Sequence, residues 1–336
     1  MKIQRLQAAA CGPPFPVHEG LVGRLLAAHG PGAAAGVESR DPTVAHVLAT
    51  CAGYAYADVD TVTMMMARLG LEQANCACVA QTVEAMFVFS TAFLAQSGCG
   101  RVVVLCYRGT ETGNIGHWLG DADVGPDAIA VGGEPLGVHA GFYRNMRATR
   151  WGVIRELTSA LEGRSLADPS RRVAHPLEAL YITGHSLGGA LALLFAISLL
   201  YSTEHRGLAG RLRGVYTFGQ PMALIDPIPE GCRPLGDRVF RHLLPRDIVP
   251  ALPPAQWGGF AHIGHEYRYA EGAWRRAETP VPQLRHLGEI PRSLLGIFAT
   301  AKHRDAARFA VRDHAPQHYI AALRPAGRVT EFGDYA

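Results

Sequence analysis

The feature that most constrains this chain is an abrupt change of character around residue 186. Leu180-Tyr181-Ile182-Thr183 is a short β-rich run, Gly184-His185-Ser186-Leu187-Gly188-Gly189 is a tight turn with a serine at its apex, and Ala190 to Leu200 is almost wholly apolar and free of proline. A buried strand followed at once by a buried helix belongs to a layered α/β architecture. Gly184 and Gly188 flank the serine because a turn this sharp brings strand and helix too close for side chains there. It also lifts the serine side chain clear of the backbone. A hydroxyl so presented becomes a nucleophile once an imidazole can take its proton, and the free N–H groups of the helix start, beginning with that of Leu187, point at the carbonyl it would attack.

With 336 residues, 48% hydrophobic and 18% charged, the chain is long enough for one large α/β domain. Formal net charge is only +3, and the basic residues are scattered arginines with two lysines, Lys2 and Lys302, which argues against nucleic acid as a partner. Seven cysteines, an odd number, with Cys106 inside an apolar run, do not form a disulfide framework, and Cys76-x-Cys78 lacks a matching second pair, so neither a metal nor a cofactor is expected. The N-terminus has no continuous apolar segment of signal-peptide length, and no apolar run reaches the roughly 18 residues of a membrane span. A cytoplasmic protein without a transmembrane segment is therefore expected.

Residues 1–40, rich in Gly, Ala and Pro, read as an irregular arm, and residues 41–330 as a single domain. Asp41-Pro42 starts a helix with apolar residues at Val44, Val47, Leu48, Cys51 and Tyr54, and a second helix covers Val62 to Leu69. Thr82 to Ala92 is β-rich. Val102 to Tyr107 is continuously apolar, as in a strand covered on both faces of a parallel sheet, and it ends in Arg108-Gly109-Thr110, where an open α/β sheet places its binding crevice. Thr110 could there give a backbone N–H and a hydroxyl to an oxyanion. Ile115-Gly116-His117-Trp118-Leu119-Gly120-Asp121 presents a tryptophan between glycines, a small lid with Trp118 as a substrate contact. A helix from Tyr143 to Leu161 follows. Strands at Val215 to Phe218 and Arg238 to Leu244 come after the serine helix, and the second leads into Pro245-Arg246-Asp247. The segment 289–312 places Arg292, Lys302, Arg304, Arg308 and Arg312 around apolar positions, the pattern of a docked surface helix or of one lying on anionic lipid. Pro316 suits the first turn of a last helix.

An activated serine needs an imidazole as base and a carboxylate to orient it. Ser186, Asp247 and His314 occur in the chain order Ser, Asp, His, each in a loop after a strand or before a helix. Asp226 is the rival acid, and Asp313 is too close to His314 to turn onto its ring. Among fifteen histidines, His318 is the rival base, placed in a first helical turn, and His185 reads as structural.

These blocks together resemble the class 3, or fungal-type, lipases of the α/β-hydrolase fold, over roughly residues 42 to 325. Val103-Val104-Leu105-Cys106-Tyr107-Arg108-Gly109-Thr110 is similar to the family's oxyanion strand, and His117-Trp118-Leu119-Gly120-Asp121 to its lid region. Val138-His139-Ala140-Gly141-Phe142, Gly184-His185-Ser186-Leu187-Gly188-Gly189 and Tyr216-Thr217-Phe218-Gly219-Gln220-Pro221 resemble successive blocks after it. Arg246-Asp247-Ile248-Val249-Pro250 resembles the acid loop and Phe260-Ala261-His262-Ile263-Gly264-His265-Glu266-Tyr267 the block that follows. The resemblance implies a central, mostly parallel sheet flanked by helices with a short lid-like segment. It implies a serine carboxylic-ester hydrolase acting on acylglycerols, with Ser186 as nucleophile, Asp247 and His314 completing the triad, Thr110 and Leu187 as oxyanion donors, and His262 in a structural place. Two departures stand out: Met222-Ala223-Leu224-Ile225 replaces the usual Arg-Val-Gly-Asn, and His314 precedes Tyr319 by five residues rather than three, which keeps His318 open. A phospholipase A1 or a mono- and diacylglycerol lipase at membrane surfaces is the alternative. A catalytically silent interaction module on the same fold is the alternative of another class.

Overall fold

The computed structural model describes residues 1–29, 41–71, 73–110, 126–285 and 313–335. In chain order the elements are β1 (Lys2–Gln7), α1 (Leu21–Ala27), α2 (Pro42–Tyr54), α3 (Val59–Leu69), β2 (Asn75–Val83), β3 (Val88–Gln96), β4 (Val102–Tyr107), β5 (Pro126–Val131), β6 (Glu134–His139), α4 (Ala140–Leu161), β7 (Ala179–His185), α5 (Leu187–Leu200), β8 (Leu212–Phe218), β9 (Leu224–Ile225), β10 (Val239–Leu243), β11 (Phe260–Ala261), β12 (His265–Ala270), β13 (Ala273–Arg276) and α6 (Pro316–Leu323). A nine-stranded sheet has the order β1-β2-β3-β4-β7-β8-β10-β12-β13. From β4 to β12 its neighbours run parallel, with antiparallel strands on either side. The parallel centre of this mixed sheet is where the apolar runs predict it.

Alternation of side chains assigns each strand to two cores. In β4, Val103, Leu105 and Tyr107 face a core shared with α4 and α5, whereas Val102, Val104 and Cys106 face one built with α1, α2, α3 and α6. In β7 the same parity sends Leu180 and Ile182 one way and Ala179 and Tyr181 the other. Helix α5 has no polar face because it has no solvent face. The large sheet and α4 pack on it together with a small sheet of order β11-β9-β6-β5, whose Ile129, Val131, Val138 and Leu224 belong to the same core.

Local signals account for several boundaries. The Asp41 carboxylate accepts from the backbone N–H groups of Thr43 and Val44 at 2.8 and 3.0 Å and caps α2, and Asp58 caps α3 through Thr61 N at 2.8 Å. Two expectations are corrected. The N-terminal arm is not irregular throughout: β1 pairs antiparallel with β2 at the edge of the large sheet, and α1 buries Leu21 and Leu25. The short alternation in Lys2–Gln7 was overshadowed by the Gly and Pro content after it. The β-rich run Thr82 to Ala92 is not one strand but a hairpin, broken by a 3-10 turn at Glu84–Met86 and by Phe87 in the left-handed region at φ 50. The lid segment 115–121 and the basic segment 289–312 lie outside the described residues. Among the described residues no helix is long and apolar enough to cross a membrane.

Candidate active site

The carboxyl ends of the parallel strands carry the site. Strand β7 ends at His185, α5 begins at Leu187, and Ser186 between them takes φ 57 and ψ −132, a backbone region that L-residues avoid and that costs on the order of 1–3 kcal/mol. Its N–H donates to the Phe218 carbonyl of β8 at 2.9 Å, and its own carbonyl accepts from Gly189 N at 2.9 Å. The flanking glycines are steric requirements. A Cβ on Gly184 would run into the backbone of Gly188, and one on Gly188 into the Tyr107 carbonyl and the backbone of Arg108 and Gly109. The second contact seats the loop after β4 directly on the first turn of α5. Half-buried Thr110 directly follows Gly109, the residue of that loop whose backbone meets Gly188.

Asp247 follows β10, and its side chain is fully buried. His314 Nδ1 hydrogen-bonds its Oδ2 at 2.8 Å, the Tyr319 hydroxyl donates to the same oxygen at 2.6 Å, and Val249 N donates to Oδ1 at 2.9 Å. Burial alone would raise this carboxyl's pKa, but the His314 charge and hydrogen bond, with those of Tyr319 and Val249, outweigh it and hold the group below its ordinary value. Burial, then the adjacent Asp247, pushes the Tyr319 phenol well above its ordinary value, so it stays protonated and donates. Tyr319 escaped the reading of the sequence as a site residue. Its signal there was only an aromatic downstream of the histidine.

The rivals fall elsewhere. Asp226 is exposed beyond β9 of the small sheet, its N–H on the Gly259 carbonyl at 3.1 Å, and Asp313 pairs with Arg246 at 3.6 Å. His314, not His318, is the imidazole on Asp247. Gly219, next to the residue that binds Ser186 N, packs so closely that a Cβ there would sit 2.6 Å from Asp247 Oδ2 and 2.9 Å from the His314 ring. Strands β7, β8 and β10 thus deliver the serine turn, Gly219 and the Asp247–His314 pair to one place. His314 Nε2 is buried and has no hydrogen-bond partner among the described residues, so the contact from Ser186 Oγ is not made as a hydrogen bond here. Such contacts are often long in unliganded sites and tighten with substrate. His262 Nε2 lies 2.8 Å from the Pro250 carbonyl and ties down the loop that carries Asp247. Trp118 lies outside the described residues. Among the described residues no group of three or more His, Cys, Asp or Glu could hold a metal ion, and all seven cysteines are free thiols.

Comparison with known proteins gives a match to the family model for lipase (class 3) over residues 104–257. Over that segment the chain is similar to the class 3 lipases. The matched span takes in Thr110, Ser186 and Asp247 but ends well before His314. A lipase of Rhizomucor miehei is 31% identical over 190 residues, covering 56% of this chain and 47% of that protein. Triacylglycerol lipase OBL1 of Arabidopsis thaliana is 31% identical over 187 residues, 45% of this chain and 34% of its own. The chain thus spans less than half the length of either relative. Among solved structures, the lipase of Rhizopus microsporus var. chinensis superposes with TM-score 0.56 at 19% identity, covering 92% of this chain and 96% of that one. The Rhizomucor miehei lipase propeptide complex superposes with TM-score 0.53 at 23% identity, covering 74% and 75%. At those identities the superpositions speak for the fold alone, an α/β-hydrolase fold.

Proposed function

We propose that this class 3 lipase homologue is a serine carboxylic-ester hydrolase acting on acylglycerols. The observation that carries the reading is the buried Asp247–His314 hydrogen bond of 2.8 Å beside a serine held at positive φ on a strand-to-helix turn. The relatives named triacylglycerol lipase and secreted mono- and diacylglycerol lipase point to the same substrate class.

In the mechanism, His314 Nε2 takes the proton of Ser186 Oγ as the oxygen attacks the ester carbonyl. Asp247 holds the Nδ1–H tautomer and offsets the charge of the imidazolium. The oxyanion of the tetrahedral intermediate accepts from the N–H of Leu187 and from Thr110, and loss of one such donor costs about 3 kcal/mol of transition-state stabilisation. His314 returns the proton to the leaving alcohol and then activates the water that hydrolyses the acyl-enzyme.

A second observation favours action at a lipid surface. Strand β3 lies beside β4, and Arg108 N bonds the Thr91 carbonyl at 2.9 Å, so the β2–β3 hairpin extends past the Thr110 loop on the catalytic edge. Its tip exposes Met86, Phe87 and Phe89 at 56%, 57% and 51%. Buried Asn145 of α4 props it there, accepting from Phe89 N at 2.8 Å and donating to the Phe87 carbonyl at 3.1 Å. Apolar side chains held rigidly in water at the mouth of a site suit an apolar interface.

Ser186→Ala should abolish p-nitrophenyl butyrate turnover while leaving thermal unfolding within a few degrees of wild type. A fluorophosphonate probe should label the wild type and not the variant. Near-wild-type turnover by the variant would remove Ser186 from its role, and an unlabelled wild type would favour a silent module. Rates on tributyrin against phosphatidylcholine vesicles separate an acylglycerol lipase from a phospholipase.

A further inference from the structure

His185, the residue before Ser186, is fully buried and its two ring nitrogens are both engaged. Nε2 lies 2.6 Å from the backbone carbonyl of His314, and Nδ1 lies 2.8 Å from the hydroxyl of Tyr56, which follows α2. A carbonyl can only accept, so Nε2 carries the proton. Burial, and then the neighbouring His314, pushes the His185 pKa down to about 3, so the ring is neutral and Nδ1 is a bare acceptor. Tyr56 must then donate. The tautomer of His185 thereby follows from its partners.

The same Tyr56 hydroxyl stands against Gly109. A Cβ on that glycine would meet it and the His185 carbonyl, 2.6 Å away, so the loop leading to Thr110 rests on this pair. The His185 and His314 rings lie 4.5 Å apart between centroids. Asp247 holds His314 through its ring, whereas His185 holds it through its main chain. Two anchors on different atoms of one residue restrict both its backbone and its ring, leaving Nε2 as the unpartnered end.

We propose that Tyr56 and His185 are positioning residues that tie the base to the nucleophile turn. Tyr56 O–H donates to His185 Nδ1, and His185 Nε2–H donates to the His314 carbonyl. Through them the Gly109–Thr110 loop, the Ser186 turn and His314 are held as one unit. The role rests on the hydrolase reading of Ser186, Asp247 and His314. Nothing in the sequence pattern distinguishes Tyr56 from its neighbour Tyr54, and His185 reads there as a structural residue.

The test uses the full chain with 15N-labelled histidine and a soluble ester. Ring 15N shifts at neutral pH should show His185 as the neutral Nε2–H tautomer, recognised by an Nδ1 resonance that moves in Tyr56→Phe. In kinetics, Tyr56→Phe keeps the ring and should lower kcat about tenfold with KM unchanged, as expected when orientation rather than binding is lost. His185→Gln, whose amide can still reach the carbonyl, should keep kcat within about threefold of wild type, whereas His185→Leu should lose about a hundredfold. If His185→Leu does not fold, Tyr56→Phe and the tautomer decide alone. An Nδ1–H tautomer, an unchanged kcat in Tyr56→Phe, or equal losses in the Gln and Leu variants would overturn the proposal. A wild type that a fluorophosphonate does not label sinks the hydrolase reading and the catalytic role with it, while the ring shifts still report whether the tether exists.

Discussion

Acidification should destabilise this protein through its buried neutral histidines. His46 and His185 are buried as neutral rings, with burial the leading cause that lowers their pKa from 6.5 to about 3, and His18, bonded to His46 at 3.0 Å, is lowered to about 4. The folded values lie below the unfolded one, so between them the unfolded chain binds more protons. Their contribution is complete above about pH 6.5 and is lost as pH falls towards the folded values. At about pH 5 each such ring forfeits about 2 kcal/mol, from 1.36 kcal/mol per pKa unit over some 1.5 units. His46 and His185 alone then remove about 4 kcal/mol, a large part of the 5–15 kcal/mol typical of a folded protein. Asp247 has linkage of the same sign but in a lower pH window. Its lowered pKa gives stability that is lost only as pH falls through the folded value, below the ordinary carboxylate range, so it does not add to the loss at pH 5. Urea unfolding at about pH 7.5, 6 and 5 should show the fall, and the double variant His18→Leu/His46→Leu should show a shallower one. Less than about 1 kcal/mol of loss in the wild type, or an unchanged slope in the double variant, would refute the assignment of these rings as neutral and buried.

Two further outcomes follow from the packing. Gly188→Ala, which puts a methyl against the Tyr107 carbonyl and the backbone of Arg108 and Gly109, should cost about 1–3 kcal/mol in chemical denaturation and most of the ester turnover; a variant as stable and active as wild type would mean that the turn is not held as tightly as the geometry demands. The double variant Met86→Ser/Phe89→Ser should lower co-sedimentation with a triolein emulsion at least about tenfold, since burying one such side chain is worth about 2 kcal/mol, while soluble p-nitrophenyl butyrate is turned over as before. Equal sedimentation of variant and wild type would rule the hairpin out as an interface contact.

Much of the site was legible because its signals are local. A strand, a serine between glycines and an apolar helix fall within a few turns of chain, and Val102 to Tyr107 carries its double-sided burial in its composition. The capping carboxylates of Asp41 and Asp58 act on residues two or three positions away. What local pattern could not decide is what joins distant residues. His314 rather than His318 meets Asp247 across 67 positions, Tyr319 reaches it across 72, and Tyr56 and His314 each meet His185 across 129. Strand β1 belongs to the large sheet only because β2, some seventy residues on, offers it an edge. Periodicity and turn chemistry report what a residue does to its own backbone, and so they identify the strand, the turn and the helix. Which imidazole faces the carboxylate depends on how α6 packs on α2, where a Cβ on Gly53 would sit 2.7 Å from Ile320 Cδ1 and 3.3 Å from Pro316 Cβ. That close approach is a property of two surfaces brought together, and the folded chain alone specifies it.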